Sequence, residues 1–239
     1  MTQRLRTGRG VPLSAALATL VASALCSGSA GRTTDEMASS NGDLALPAPR
    51  FSGEISVEQA LGRRRSRREF APEPLPLSAA SQLLWAAQGF TDPAGLRTAP
   101  SAGALYPLEV YLAAGAVSGV RPGLYRYDPR AHRLLLQYEG DPRARVAEAA
   151  LEQRWLAEAP AIIVLTAVYQ RTARKYGERA TRYVHMEVGH AAQNVYLQAE
   201  ALGLGTTLVG AFHDEALARE LRLPDETKPL GLLPVGKPR

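Results

Sequence analysis

The sequence holds a single cysteine, Cys26. An intramolecular disulfide is therefore impossible, and so is a zinc site built on paired thiolates. His185-Met186-Glu187 invites a zinc-deaminase reading, but that chemistry needs a Cys pair that is absent. No His-Glu-x-x-His pattern exists, so no metal site is expected. A dinucleotide fingerprint is missing too. The glycines from Gly203 to Gly210 lack the third one at its required place, and the segment leaves a helix to enter a strand, the reverse of the required order. Charge of one sign is also scarce. The net charge is +5, of which Arg4, Arg6 and Arg9 contribute three, leaving +2 for the rest. That balance gives no reason to expect nucleic acid, which needs a clustered basic surface. The apolar run from Val11 to Leu25 is too short for a comfortable membrane span.

What is present is a globular composition, 46% hydrophobic and 21% charged. Residues 1–30 run from basic through apolar to small (Ser27-Gly28-Ser29-Ala30), the order of a secretory signal. The expected location is periplasmic or extracellular, or cytoplasmic if this stretch is no signal. Cys26 raises the idea of a lipid anchor, although Leu25 stands where lipoprotein signals carry a small residue. Residues 31–50, rich in small and polar types, read as a flexible linker, and the domain is expected over 51–239.

Within the domain, Ser56-Val57-Glu58-Gln59 is a candidate capping box. Helices are expected from Ser78 to Gln88, Pro142 to Ala157, and Ala180 to Leu202, the last stopped by Gly203. A further short helix should run to Leu221 with Asp214 as its cap. Strands are expected at Val110–Ala114, Gly205–Phe212 and Leu230–Val235. Leu124–Tyr127 and Leu134–Tyr138 should form a hairpin. Ala161–Tyr169, almost wholly apolar, predicts a central strand buried on both faces. Strands and helices do not alternate strictly, which favours an α+β fold over a doubly wound sheet.

Four constellations could carry chemistry. Arg64-Arg65-Ser66-Arg67-Arg68 offers guanidinium forks and a hydroxyl suited to phosphate, though a basic run is more often a solvated face. The stretch from Pro100 to Tyr111, with Ser101 and Gly103 between prolines, lets a backbone lie flat against a ligand, or is an ordinary loop. Gly203–Phe212 reads as a helix cap, a strand and a close-approach turn at Gly210-Ala211. Lys175-Tyr176 could act as acid and base if an apolar site tunes them, or could be two surface residues. Glu187 and His190, three apart, can share a helix face. His190 and Asn194 are expected to be buried hydrogen-bonding residues.

In this order and spacing, the first three segments resemble the FMN-binding elements of the nitroreductase superfamily. Lys175-Tyr176-Gly177, with Arg179, Arg182, Glu187, Gly189, His190 and Asn194, resembles its SagB-type thiazole/oxazole (azoline) dehydrogenase branch. The resemblance covers roughly Ser56 to Pro238. It implies a nitroreductase-like α+β fold with a central mixed sheet flanked by helices, FMN as cofactor, and a homodimer with the flavin near the subunit interface. It also implies that Arg64 and Ser66 hold the FMN phosphate and ribityl chain, with Arg68 beside the N1/O2 edge of the ring. Ser101 and Gly103 would pack on the flavin, Gly210 and Ala211 would face its N5, and Lys237 would lie near the phosphate. Lys175 and Tyr176 match residues implicated in azoline oxidation.

The expected function is hydride transfer between a small organic substrate and flavin N5. An exported chain could not meet an ATP-dependent cyclising partner, which argues against azolines. An exported reductase of nitro or quinone compounds is the enzyme alternative, and a non-enzymatic flavin-binding protein of the same fold is the other.

Overall fold

The computed structural model describes residues 42–239. The expected signal at residues 1–30, with Cys26, and the linker as far as residue 41 lie outside the described residues. In chain order the elements are β1 (Leu44–Ala45), α1 (Val57–Arg63), α2 (Leu77–Gln88), β2 (Leu108–Ala114), β3 (Gly123–Asp128) and β4 (Arg133–Glu139). There follow α3 (Arg143–Ala149), β5 (Ala161–Val168), α4 (Tyr169–Tyr176), α5 (Ala180–Ala201), β6 (Gly205–Thr206), α6 (Asp214–Glu220) and β7 (Thr227–Gly236). The fold is α+β, around one seven-stranded sheet of order β1-β4-β3-β2-β5-β7-β6. The sheet was expected to be mixed, but its named strands pair antiparallel throughout. Among the described residues, parallel pairing is confined to isolated bridges, Ser66 with Thr206 and Leu75 with Val117.

The apolar run of β5 is explained by burial on both faces. Ile163 and Leu165 pack with Leu83 and Leu84 of α2 and with Val184 and Ala192 of α5. Ile162 and Val164 join Val146 of α3 and Leu217 of α6 on the other face. The capping box of α1 forms as its sequence predicts. The Gln59 amide donates to Ser56 Oγ at 3.2 Å, and the Ser56 amide donates to Gln59 Oε1 at 3.0 Å. The β3–β4 hairpin and the long α5 also form.

Several local expectations fail for identifiable reasons. The helix expected from Pro142 to Ala157 stops at Ala149, and a 3-10 turn from Arg154 to Glu158 follows. Leu151 and Glu152 take left-handed φ values of 57° and 56°. The helix end survives because its carbonyls find other donors: the Gln153 side chain bonds Ala150 O at 2.8 Å and the His213 amide bonds Ala149 O at 2.9 Å. The strand expected over Gly205–Phe212 ends at Thr206 because the Leu208 amide donates to the Tyr196 hydroxyl instead, at 2.7 Å. Asp214 is the first helical residue of α6 rather than its cap, which is His213.

The end of the expected linker is packed onto the domain. Leu46 is buried, its amide donates to His132 O at 3.0 Å, and Pro47 O accepts from Ser81 Oγ at 2.6 Å. Arg50 and Gln82 exchange two further hydrogen bonds, at 2.8 and 3.0 Å. The alternation in Leu44-Ala45-Leu46 is that of an edge strand, too short to stand out against small and polar neighbours.

Candidate functional site

The candidate residues fall into two groups along α5. The first surrounds the loop that leads into β2. After Ser101 the chain makes a 3-10 turn, Ala102–Ala104. Gly103, Ala104 and Tyr106 there have φ of 61°, 53° and 45°. Left-handed backbone at two non-glycine residues costs of order 1–3 kcal/mol each, so the surroundings must impose it. They do so from both sides. Ser101 Oγ accepts the Tyr106 amide at 2.8 Å, and Glu187 Oε1 of α5 accepts the Ala102 amide at 2.9 Å. Glu187 is buried at 3% exposure. Burial raises its carboxyl above the ordinary range, against the opposing effects of hydrogen bonds from Ala102 and Ser101 and of nearby His190. His190 itself is exposed, contrary to expectation. Asn194 does hydrogen-bond, donating to Thr98 O at 3.2 Å.

Lys175 and Tyr176, at the end of α4, meet this loop. A Cβ added at Gly103 would lie 2.9 Å from Tyr176 Oη and 3.0 Å from Lys175 Nζ. Position 103 therefore admits only glycine without displacing the pair, for reasons of space as well as φ. The Tyr176 ring meets Tyr183 of α5 edge-on, with centroids 5.0 Å apart. Arg171, one turn earlier on α4, donates to Tyr106 O at 3.2 Å and pairs with Glu109. Two motifs about 70 residues apart thus become one surface, with Tyr176 half-buried and Lys175 exposed.

The second group gathers around Tyr196. Its hydroxyl accepts the Leu208 amide at 2.7 Å and lies 3.3 Å from Thr207 Oγ1 and 3.4 Å from Ser66 Oγ. The Arg64 guanidinium sits over its ring, 5.4 Å from the centroid. Burial alone would raise this phenol, but the Ser66, Thr207 and Leu208 hydrogen bonds and the Arg64 charge outweigh it and hold it below its ordinary value. Ser66 bridges Thr206 through the backbone, and the Arg67 amide donates to Thr206 O at 3.0 Å. Arg64 and Arg68 have no carboxylate partner among the described residues. Gly210 is exposed with nothing near its Cβ direction, and Ala211 O accepts from Gln153 Nε2 at 3.0 Å. Lys237 departs from the group: its ammonium pairs with Glu73 at 3.0 Å, and both side chains are more than half exposed.

Glu187 and Tyr196 are nine residues apart on one helix, roughly 13 Å along the axis and about half a turn around it. The Ser101–Gly103 loop and the Arg64–Ser66 segment thus meet α5 at different heights and on different sides. Tyr196 escaped sequence reasoning because a tyrosine on an amphipathic helix looks like core packing. The guanidiniums of half-buried Arg64 and exposed Arg68, beside hydroxyls and an open glycine turn, suit a ligand with a terminal phosphate. No group of His, Cys, Asp or Glu among the described residues is arranged to hold a metal.

Comparison with known proteins gives a consistent result. The Nitroreductase family pattern matches residues 61–237. MJ1384 of Methanocaldococcus jannaschii, assigned as a nitroreductase, is 48% identical over 184 residues, covering 77% of this chain and 92% of that protein. The crystal structure of a Ralstonia eutropha protein assigned as a nitroreductase superposes with a TM-score of 0.72 at 30% identity, covering 85% and 93% of the two chains. A chain of the Escherichia coli microcin synthetase McbBCD complex, with truncated pro-MccB17 bound, superposes with a TM-score of 0.65 at 25% identity. That match covers 82% of this chain and 78% of the other.

Proposed function

This chain belongs to the nitroreductase family, and from that premise we propose that it is an FMN-dependent oxidoreductase of the SagB type, passing a hydride between a small organic substrate and flavin N5. The observation that carries the reading is the meeting of Lys175 and Tyr176 with Gly103, which puts two proton-handling groups on the candidate flavin loop. Arg64 and Ser66 would hold the phosphate, and Arg68 would favour negative charge at the N1/O2 edge. The open Gly210-Ala211 turn would offer its backbone amide to N5. Lys237 would have to leave Glu73 to reach a phosphate, a small cost, since exposed ion pairs are worth about 0–1 kcal/mol. Tyr176 or Lys175 would take the proton that the substrate loses as the hydride leaves.

The separation of the two groups along α5 supports a homodimer in which a second copy supplies the Ser101–Gly103 loop. Arg182, Met186, Gly189 and Gln193 line an exposed face of α5 at helical spacing, which that copy would cover. The basic–apolar–small order of residues 1–30 supports export. Fractionation that finds the full-length chain, Met1 included, in the cytosol would count against it.

Heat release and mass identification of the cofactor is expected to give FMN, and FAD as the main species would overturn the reading. Anaerobic flavin reduction then tests the substrate class. Reduction by an azoline-bearing peptide supports the SagB-type branch, which the likeness to McbBCD favours. Reduction by NAD(P)H with turnover on quinones supports the second reading, a nitro- or quinone-type reductase, which the likeness to MJ1384 favours.

A further inference from the structure

A cavity of about 260 Å³ opens where β2 begins and β3 ends, between the side chains of Arg97, Glu109, Arg126, Asp128 and Arg130. Its charges do not cancel in place. Glu109 is spent on Arg171 and, at 3.3 Å, on Arg126. Asp128 is spent on Arg133 at 3.2 Å and on the amides of Arg130 and Ala131 at 3.0 and 3.3 Å. Arg97 and Arg130 are left with no carboxylate partner among the described residues.

These two guanidiniums line the same cavity and share an aromatic neighbour. Both lie over the Phe90 ring, at 5.3 and 5.6 Å from its centroid. Arg97 is wedged further in, 4.5 Å above the Tyr106 ring, with Nη1 donating only to the neutral Gln88 amide oxygen at 3.0 Å. Its Nε is enclosed without any partner. Burial pulls the Arg97 pKa down, with Glu109 acting against that and Arg171 adding to it. Two guanidiniums on the wall of one partly desolvated cavity, neither with a carboxylate partner among the described residues, favour an incoming anion. The cavity lies just below the volume range of drug-sized ligand sites, so the occupant is small. Guanidinium forks select planar or tetrahedral oxoanions.

We propose that this cavity is a binding site for a small oxoanion, a carboxylate or phosphate group, held by Arg97 and Arg130 with Arg126 at its wall. The proposal stands apart from the flavin reading. The ligand would reach the same loop from another quarter, because Tyr106, under Arg97, is bonded through its amide to Ser101.

Calorimetric titration of the full chain at low ionic strength, in excess FMN so that the Arg64–Arg68 cluster is occupied, tests this, with inorganic phosphate, sulfate and succinate as separate probes. At least one probe should bind saturably at one site. Phosphate and sulfate binding without succinate assigns a phosphoryl group, and the reverse assigns a carboxylate. The exposed Arg130→Ala should keep its melting temperature yet weaken that binding about 10- to 100-fold, the loss of one or two charge-assisted bonds. Arg97→Lys, which keeps the charge and loses the fork, should weaken it as well. Arg219→Ala, an exposed cation on α6, should change nothing. The site is refuted if no probe saturates, if Arg130→Ala binds like the parent chain, or if Arg219→Ala loses as much as Arg130→Ala. Should Arg97→Lys fail to fold, the Arg130 and Arg219 pair decides alone.

Discussion

The two ends of α5 are built by opposite means. Around Glu187 the backbone is strained, the carboxylate is buried, and the Gly103 Cβ position is filled by Lys175 and Tyr176. Around Tyr196 the links run through hydroxyls, at 3.3–3.4 Å to Ser66 and Thr207, and half-buried Arg64 and exposed Arg68 have no carboxylate partner among the described residues. A site that must fix a few atoms against one another stores its cost in the fold beforehand. A site that must receive a charged group keeps donors open and lets the ligand complete them. The first end therefore suits chemistry and the second suits binding.

That division can be broken experimentally. The largest effect is expected from Lys175→Ala, which should leave flavin occupancy intact while slowing substrate-driven flavin reduction by roughly 10²–10⁴ in single turnover. An unchanged rate would make the pair mere surface and remove the chemistry from that end. Arg64→Ala should do the converse. Losing one or two charge-assisted bonds to the phosphate should weaken FMN binding by roughly 10- to 100-fold, measured by fluorescence titration of the flavin-free chain. Its melting temperature should fall in FMN-containing buffer and stay put without FMN. If Arg64→Ala slowed reduction in fully loaded protein as much as Lys175→Ala, the two ends would not be separable.

The smallest effect sharpens the comparison instead. The Glu187 carboxyl is raised in the folded chain above its ordinary 4.5, so the fold holds its proton more tightly than the unfolded chain does. Its contribution to stability is complete below pH 4.5 and is lost as pH rises through the raised value. Glu187→Gln keeps an acceptor for the Ala102 amide but cannot ionise. The melting temperature of the parent chain relative to this variant should therefore fall from pH 4.5 upward, by roughly 2–4 °C for each kcal/mol. Parallel curves would show that no charge is stored at this end.

Sequence patterns foretold these ends unequally. The elements that carry them were legible: the two-sided burial of β5, the capping box at Ser56 and the length of α5 all follow from periodicity and local hydrogen bonding. Lys175, Tyr176, Ser101 and Gly103 could be named from sequence, but their meeting could not, since it depends on how α4 docks beside α5. The break after Ala149 was hidden because Leu151 and Glu152 are good helix formers, turned left-handed by donors from Gln153 and His213. Tyr196 was hidden because its partners, Ser66 and Leu208, come from both sides of it in sequence.

The nine-residue interval between Glu187 and Tyr196 has a consequence for how this chain can vary. A loop absorbs an insertion by bulging, but the interior of a helix transmits it. One residue added between these positions would advance everything beyond it by about 100° in azimuth and ~1.5 Å in height. Glu187 would keep its hold on Ala102, while Tyr196 would swing away from Ser66 and Leu208. Substitutions along the exposed stripe of α5 leave that phase untouched. In this stretch a changed letter acts where it stands, whereas a changed count acts on everything beyond it.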